Sequence, residues 1–244
     1  MKDINLPVCT NDACTTTSVE PTRVRKSGSR VIELDVVSDV VCPWCFVGKR
    51  RLEKAIKLLG DSVDVKVTWR PFQLNPWMPK EGMDRREYRL AKFGSTERWQ
   101  QLDAQLAAVG AGEGIEFHFD RITRTPNTLD AHRMIWLAQQ HSLQDAVVEA
   151  LFQAYFVKGV DIGNQKNLMA VAQAVGLDRT LTENLLSTDL GVKEVLAKEA
   201  KFKELGIEGV PSFVVQGAVL FSGAAEPQMI AEALGQVVQA RLQR

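Results

Sequence analysis

The sequence has few cysteines, only four in 244 residues. They form two close pairs, Cys9 with Cys14 and Cys42 with Cys45. This number is too small for a disulfide scaffold in a chain of this length. Paired cysteines in a reducing compartment are more often catalytic, redox-sensing or metal-binding than structural. The scarcity therefore excludes a fold held together by disulfides and draws attention to the two pairs.

The sequence also lacks net charge and long apolar runs. Thirty Lys and Arg balance thirty Asp and Glu, and no block of like charge would attract nucleic acid or an anionic membrane. No apolar stretch approaches the roughly 20 residues that cross a bilayer, and the N-terminus lacks the apolar segment of a secretory signal. We expect a cytoplasmic protein without a nucleic-acid or membrane partner. The oligomeric state stays open, a dimer included.

What is present begins with a polar N-terminal segment followed by strand and helix patterns. Residues 1–28 have no periodic apolar face and predict a flexible tail that holds Cys9 and Cys14. The β-branched run 31–37 predicts a strand. Residues 46–59 then have an apolar stripe at helical spacing, with Arg50, Arg51, Lys54 and Lys57 predicted to be mostly solvated.

Residues 63–69 alternate apolar and polar side chains and predict a second strand. Strand, helix and strand form a βαβ unit with Cys42 and Cys45 at its first turn. Residues from about 84 to 206 predict an almost wholly helical region. Strands return at 212–215 and 219–221, joined by a tight turn, and a helix over about 227–242 closes the chain.

Cys42 and Cys45 frame the predicted start of the first helix. The free N–H groups and positive dipole end of a helix stabilise an anion, so the pKa of a thiol there falls to roughly 3.5–7.5 from about 8.5. Cys42 occupies that place and suits attack on a disulfide, while Cys45, one turn further on and partly covered, suits the resolving role. Pro43 is well placed in the first helical turn.

Other interpretations of this cysteine pair remain open. The two cysteines could be buried neighbours without a role, or half of a zinc site. The three histidines follow no Cys/His ligand spacing, although Cys9 and Cys14 could complete a four-thiolate site. The intervening Trp44 is predicted at the surface, either contacting a polypeptide or a small thiol, or merely covering the helix.

A proline far along the chain is the second informative feature. Pro211, in Gly209-Val210-Pro211-Ser212-Phe213, stands at the mouth of a predicted strand. There it cannot donate to the strand ladder, and it is either an ordinary edge proline or a functional cis-proline.

The order of these segments resembles the DsbA-like branch of the thioredoxin fold from about Arg30 onward. Three segments more narrowly resemble FrnE-type proteins, relatives of 2-hydroxychromene-2-carboxylate isomerase. They are Ser38-Asp39-Val40-Val41-Cys42-Pro43-Trp44-Cys45, Asn127-Thr128-Leu129-Asp130-Ala131-His132-Arg133 and Gly209-Val210-Pro211-Ser212-Phe213. The fold expected is an α/β, thioredoxin-like fold of the DsbA type. Its thioredoxin-like domain spans residues 30–75 and 207–244, with a large inserted helical domain over 83–206.

The resemblance also implies roles for individual residues. Cys42 is the nucleophile, Cys45 the resolving cysteine and Pro211 a cis-proline that faces them, while the Val210 backbone pairs with bound polypeptide. His132 and Asn127 are further candidates for substrate binding. His132 could shuttle protons or simply pack in a helix. Asn127 could equally be the N-cap of the helix that contains His132.

The expected function is that of a thiol–disulfide oxidoreductase or protein disulfide isomerase that acts through the Cys42–Cys45 dithiol on disulfide-containing proteins or small thiols. No cofactor is required, and glutathione could serve as a redox co-substrate. The related chromene-carboxylate isomerases generally have Ser where this chain has Cys42, which favours redox exchange over a glutathione-dependent isomerase or transferase. Cys9 and Cys14 could relay disulfides or bind a soft metal ion, or have no role. A metal-responsive thiol protein is therefore a third interpretation.

Overall fold

The computed structural model of the chain describes residues 30–242, and the predicted tail with Cys9 and Cys14 lies outside them. The described residues form six strands: β1 (Arg30–Ser38), β2 (Val63–Pro71), β3 (Met83–Asp84), β4 (Arg124–Thr125), β5 (Ser212–Val215) and β6 (Ala218–Ser222). Their α-helices are α1 (Pro43–Leu59), α2 (Arg85–Phe93), α3 (Thr96–Gly112), α4 (Leu129–Gln140), α5 (Gln144–Phe152), α6 (Gln165–Ala174), α7 (Arg179–Ser187), α8 (Val192–Glu204) and α9 (Pro227–Leu242).

A four-stranded mixed sheet in the order β2-β1-β5-β6 forms the centre of the fold. Strand β1 pairs parallel with β2 and antiparallel with β5, so that Val37 lies opposite Arg70 on one side and Ser212 on the other. The β5–β6 hairpin turns at Gln216 and Gly217, whose φ angles are 54° and 77°. Positive φ at both central residues matches the twist of the flanking strands. The predicted βαβ unit and terminal hairpin are confirmed.

The two faces of the sheet pack against different helices. Ile32, Leu34 and Val36 belong to the main core, which also includes residues of α1 and α9. The intervening Val37 belongs to a smaller cluster with Phe202 of α8. Side chains alternate across a strand, so β1 is buried on both faces. Because β1 is buried on both faces, its C-terminal end is held in place, and the turn that contains the cysteines begins at that end.

Two arginines of α1 were predicted to be solvated, and this prediction is wrong. Arg50 binds Glu149 of α5, and the Arg51 Nε atom lies 2.7 Å from Glu113 Oε1, just beyond α3. Lys49, whose side chain is only 4% exposed, is also close to Glu149. Partners far away in sequence therefore cover part of the face of α1 that periodicity assigns to solvent, whereas Lys54 and Lys57 on that face are exposed as predicted. These ion pairs connect the cysteine-bearing helix to the helical region.

The region predicted to be almost wholly helical also contains a short strand pair. Strands β3 and β4 form a two-residue antiparallel ladder that joins Met83 to Thr125 and Asp84 to Arg124. Asp84 is the last residue of β3 and also the N-cap of α2. Its side chain accepts hydrogen bonds from the Arg86 and Glu87 N–H groups. The short ladder thereby fixes the start of α2, which forms one wall of the site described below.

Candidate active site

The cysteine pair lies where β1 feeds α1. Cys42 is the N-cap residue of α1 and Pro43 is the first helical residue, as predicted. The Cys42 N–H donates to the Asp39 carbonyl, and the Cys45 N–H donates to the Cys42 carbonyl, each at 3.0 Å. Both cysteines are free thiols, with 5% of Cys42 and 1% of Cys45 exposed. Neighbouring Trp44 is exposed, also as predicted.

The loop before β5 faces Cys42. The Cys42 thiol donates a long hydrogen bond to the Val210 carbonyl, with an Sγ–O distance of 3.7 Å. The Val210–Pro211 peptide bond is cis. Gly48 of α1 packs against this loop so closely that a Cβ atom there would lie 3.0 Å from Pro211 Cγ. The structure thus brings Cys42, Val210 and Pro211 together from distant parts of the sequence.

Cys45 lies in a setting that holds its proton. Burial raises the pKa of the Cys45 thiol well above its usual range, and hydrogen bonding and charge at Cys42 raise it further. The Ser38 hydroxyl and the Asp39 backbone act in the opposite direction on this pKa. A high pKa keeps Cys45 as a thiol while Cys42 reacts. This ordering suits one cysteine that attacks and one that resolves.

A buried acid and a buried histidine lie next to each other in this region. Asp39 accepts a hydrogen bond from the Leu74 N–H through Oδ2, at 2.8 Å. The other oxygen, Oδ1, is 3.3 Å from His132 Nε2. Asp39 and His132 are 0% and 3% exposed, and neither of these two facing atoms has a hydrogen-bond partner among the described residues. His132 therefore contacts Asp39, whose backbone acts on the Cys45 thiol. The predicted role of His132 in binding substrate stays a prediction.

Asn127 lies elsewhere. Its side chain donates to the Met78 carbonyl at 2.7 Å and accepts from the Leu129 N–H at 2.9 Å. The N-cap of α4 is Thr128, so the alternative interpretation of Asn127 as that N-cap is wrong by one residue. Because the Asn127 oxygen still binds the first N–H of α4, its side chain does the work of a cap from one position earlier. It does not line the cavity next to Cys42.

A cavity of about 320 Å³ opens beside Cys42, between the cysteine turn and helices α2 and α3. Much of its wall is aromatic or aliphatic: Trp44, Leu74, Tyr88, Phe93, Trp99 and Leu106. Three cationic side chains of α2 also line it, namely Arg85, Arg89 and Lys92. Pockets of roughly 300–1,000 Å³ with an apolar lining and a few polar groups are typical of small-molecule sites.

The sequence patterns used above indicate neither these α2 residues nor a role for Asp39. Asp39 stands inside the segment that contains Cys42, but a single carboxylate gives no signal of burial. Two aromatic and two basic residues stand close together in α2, namely Tyr88, Arg89, Lys92 and Phe93. That mixture of aromatic rings and cations could have indicated a site for a ligand that has both an apolar part and a negative charge.

Neither a metal cluster nor a membrane span is found in the part of the chain that the structure describes. No three or more His, Cys, Asp or Glu residues within 30–242 are grouped so as to hold a metal ion. Over the same residues, no helix combines the length and apolarity that crossing a bilayer requires. Cys9 and Cys14, to which the metal-binding alternative refers, lie outside the described residues.

Comparison with known families agrees with this geometry. A family model for the DSBA-like thioredoxin domain matches residues 33–235, most of the chain. The chain belongs to the DsbA-like thioredoxin domain family. The predicted fold class is therefore confirmed, and family membership supports thiol–disulfide oxidoreduction as the general class of activity.

Individual relatives of this DsbA-like protein match most of its length. Uncharacterized protein YwbO of Bacillus subtilis (strain 168) is 30% identical over 205 residues, which cover 83% of this chain and 96% of that protein. The crystal structure of the probable DsbA oxidoreductase SCO1869 from Streptomyces coelicolor is 31% identical with a TM-score of 0.76, covering 84% of this chain and 89% of that one. A structure of 2-hydroxychromene-2-carboxylate isomerase has a TM-score of 0.64, covering 87% and 98%, but at 16% identity it shows the fold alone.

Proposed function

We propose that this protein is a thiol–disulfide oxidoreductase that works through the dithiol of Cys42 and Cys45, within the FrnE-type group of the family. One observation supports this most strongly. The Cys42 sulfur, at the N-cap of α1, lies 3.7 Å from the carbonyl of Val210, directly before the cis-bonded Pro211. A sulfur at a helix start is stabilised as a thiolate, and main chain beside it can pair with an extended polypeptide, so this arrangement is suited to exchange with a protein disulfide.

The reaction proceeds in two exchanges. The Cys42 thiolate attacks one sulfur of the substrate disulfide, forming a Cys42–substrate disulfide and releasing the other substrate sulfur as a thiolate that takes up a proton. Cys45 then loses its proton and attacks the Cys42 sulfur, which releases the second substrate thiol. Two electrons pass from the dithiol to the substrate, and the protein ends with a Cys42–Cys45 disulfide. The reverse sequence donates a disulfide.

The substrates proposed are disulfide-containing proteins and small thiols or disulfides. Val210 is half-buried beside the reactive sulfur, so its main chain could pair with an extended polypeptide. Exposed Trp44 adds an aromatic surface, and Pro43 lines the cavity beside it. No cofactor is required, and glutathione is a candidate for returning the oxidised protein to the dithiol state.

Insulin reduction tests the proposal, with the reduced protein used in excess over insulin. Wild type is expected to cleave the insulin disulfides, and Cys42→Ser to lose this activity. Cys45→Ser is expected to stop at a Cys42–insulin mixed disulfide, visible by mass spectrometry. The matched control is Ser62→Ala, since Ser62 is exposed in the turn that follows the C-terminal end of α1, away from the dithiol at the start of that helix. Equal insulin reduction by wild type and Cys42→Ser would overturn the assignment of the nucleophile.

The preferred direction of exchange depends on the reduction potential of the dithiol. Equilibration of the Cys42–Cys45 pair with glutathione buffers of known potential measures it. A strongly oxidising value assigns disulfide donation, and a reducing value assigns disulfide reduction.

A further inference from the structure

Arg85 is a cation in the wall of the Cys42 cavity that is not neutralised by a carboxylate. Its Nη1 atom donates to the hydroxyls of Thr125 and Tyr155, at 3.3 and 3.2 Å. Its buried Nε atom has no hydrogen-bond partner among the described residues. Asp103 is close enough to act on Arg85 electrostatically, but both of its oxygens bind Arg89. The Arg85 charge therefore lacks a paired anion within the described part of the chain.

Two features make this charge unfavourable where it stands. Burial lowers the pKa of the Arg85 guanidinium, because a cation loses hydration there. Arg85 is also the first residue of α2, and the positive end of a helix dipole disfavours a cation. A bound anion would relieve both effects.

The other two cations of the cavity are already satisfied. Arg89 is paired in a fork with Asp103. Lys92 is exposed to water and donates to the Tyr88 hydroxyl at 2.8 Å. Water can satisfy the remaining Lys92 donors, so Arg85 is the cation of this cavity that is shielded from water and has no acidic hydrogen-bond partner among the described residues.

The residues that line the cavity indicate which chemical groups a bound ligand has in addition to its negative charge. Trp44, Phe93 and Trp99 offer ring surfaces, and Cys42 lies on the same cavity. At about 320 Å³ the space fits a small molecule. We propose that this cavity is a binding site for small aromatic disulfides that have a carboxylate, with the carboxylate on Arg85 and one sulfur at Cys42.

This inference rests on the proposed function and specifies its substrate class. The Cys42 thiolate attacks the sulfur attached to the ring in the cavity, and the other half of the disulfide leaves as a thiolate. Cys45 then displaces the bound half from Cys42 as a second thiolate and loses its proton to solvent. The dithiol loses two electrons and the aromatic disulfide gains them, so each Cys42–Cys45 dithiol reduces one disulfide.

The test compares a charged and a neutral aromatic disulfide. The reduced Cys9→Ser/Cys14→Ser protein, which lacks the other two thiols of the chain, is mixed with 5,5′-dithiobis(2-nitrobenzoate), whose rings have carboxylates, or with neutral 2,2′-dithiodipyridine, and single-turnover rates are recorded. Arg85→Gln is expected to slow the reaction with the charged disulfide about tenfold, the loss expected for a hydrogen bond to a charged group. The reaction with the neutral disulfide is expected to change less than twofold.

Two further variants control for charge and fold. Arg86→Gln removes the same charge from an exposed neighbour that lines only the adjacent cleft, and it is expected to react like wild type with both disulfides. Arg85→Lys keeps the charge and is expected to recover part of the rate. Binding of 2-nitrobenzoate to Cys42→Ser protein, followed by quenching of tryptophan fluorescence, is expected to weaken on adding Arg85→Gln.

Equal slowing of both disulfides by Arg85→Gln, or equal slowing of the charged disulfide by Arg86→Gln, would overturn the inference. So would an unchanged rate with the charged disulfide in Arg85→Gln. Failure of the proposed function itself gives a different result, since Cys42→Ser would then still reduce both disulfides at the wild-type rate.

Discussion

The Nε2 atom of His132 lies 3.3 Å from the Oδ1 atom of Asp39, and both side chains are buried. Asp39 directly follows β1 and His132 lies in α4, so this contact joins the cysteine turn to the helical region. The two groups face each other away from water. Removing either side chain would leave the other as an unpaired buried polar group, which costs free energy of folding.

The two residues are expected to be energetically coupled. Asp39→Ala and His132→Ala should each lower the free energy of unfolding by about 3 kcal/mol, because each leaves a buried polar partner. The double variant should lose at least about 1 kcal/mol less than the sum of the single losses. Urea unfolding of all four proteins measures this. Exposed His141→Ala serves as control, with an expected change within about 0.5 kcal/mol, and additive losses at 39 and 132 would contradict the coupling.

The raised pKa of Cys45 predicts a pH dependence of stability. Burial favours the neutral thiol in the folded state, so the folded protein holds this proton more tightly than the unfolded chain does. Stability from this source is full below the unfolded pKa of about 8.5 and falls as the pH rises above it. The reduced wild type should therefore lose more stability than Cys45→Ala between about pH 8 and pH 10. Parallel stability curves for the two proteins would show that Cys45 is not held as a thiol.

Gly48 and Gly235 both lie in helices, but replacement by Ala is expected to have opposite effects on stability at the two positions. A Cβ at position 48 would lie 3.0 Å from Pro211 Cγ, whereas one at 235 would meet nothing within 4 Å. Gly48→Ala should cost about 1–3 kcal/mol through overpacking and slow insulin reduction by displacing α1 from the Val210–Pro211 loop. Gly235→Ala should stabilise the protein by about 0.5–1 kcal/mol, the usual gain of Ala over Gly in a helix. Thermal unfolding and the insulin assay test both; a neutral Gly48→Ala would mean that the loop yields easily.

Glu149 should stabilise the protein at neutral pH and not in acid. Burial raises the pKa of this carboxyl, but hydrogen bonds from Arg50 and Gln153 and the charges of Lys49 and Arg50 outweigh it, so the pKa is lowered. The stabilisation is present above the unfolded pKa of about 4.3 and disappears as the pH falls through the lower folded value. Glu149→Gln should cost about 2 kcal/mol near pH 7 and much less near pH 3. Exposed Glu232→Gln should show no such pH-dependent loss, and a constant Glu149→Gln penalty would exclude an ionic origin.

Local pattern predicted the parts of the fold that depend on near neighbours in sequence. The β-branched run of β1, the stripe on α1 and the Gln216-Gly217 turn each determine their own conformation. Cys42 at a helix start followed from the same local evidence. The two-residue strands β3 and β4 were missed because such short segments have no periodicity to detect.

The rest of the site depends on contacts between distant segments. Arg50 and Arg51 are residue types typical of a solvated face, and only the packing of α5 and residue 113 against α1 partly covers them. Asp39 meets His132, and Arg85 reaches the Cys42 cavity, through the placement of whole helices. A sequence pattern does not contain that placement.

The antiparallel pairing of β1 with β5 has an evolutionary consequence. These adjacent strands deliver Cys42 and the Val210–Pro211 loop, while α2 and α3, which wall the cavity, belong to the long connection between β2 and β5. Replacing or remodelling that connection changes which molecules reach the sulfur and leaves the sulfur and its facing loop in register. Descendants of one ancestral sheet can therefore diverge in substrate while they inherit the same chemistry.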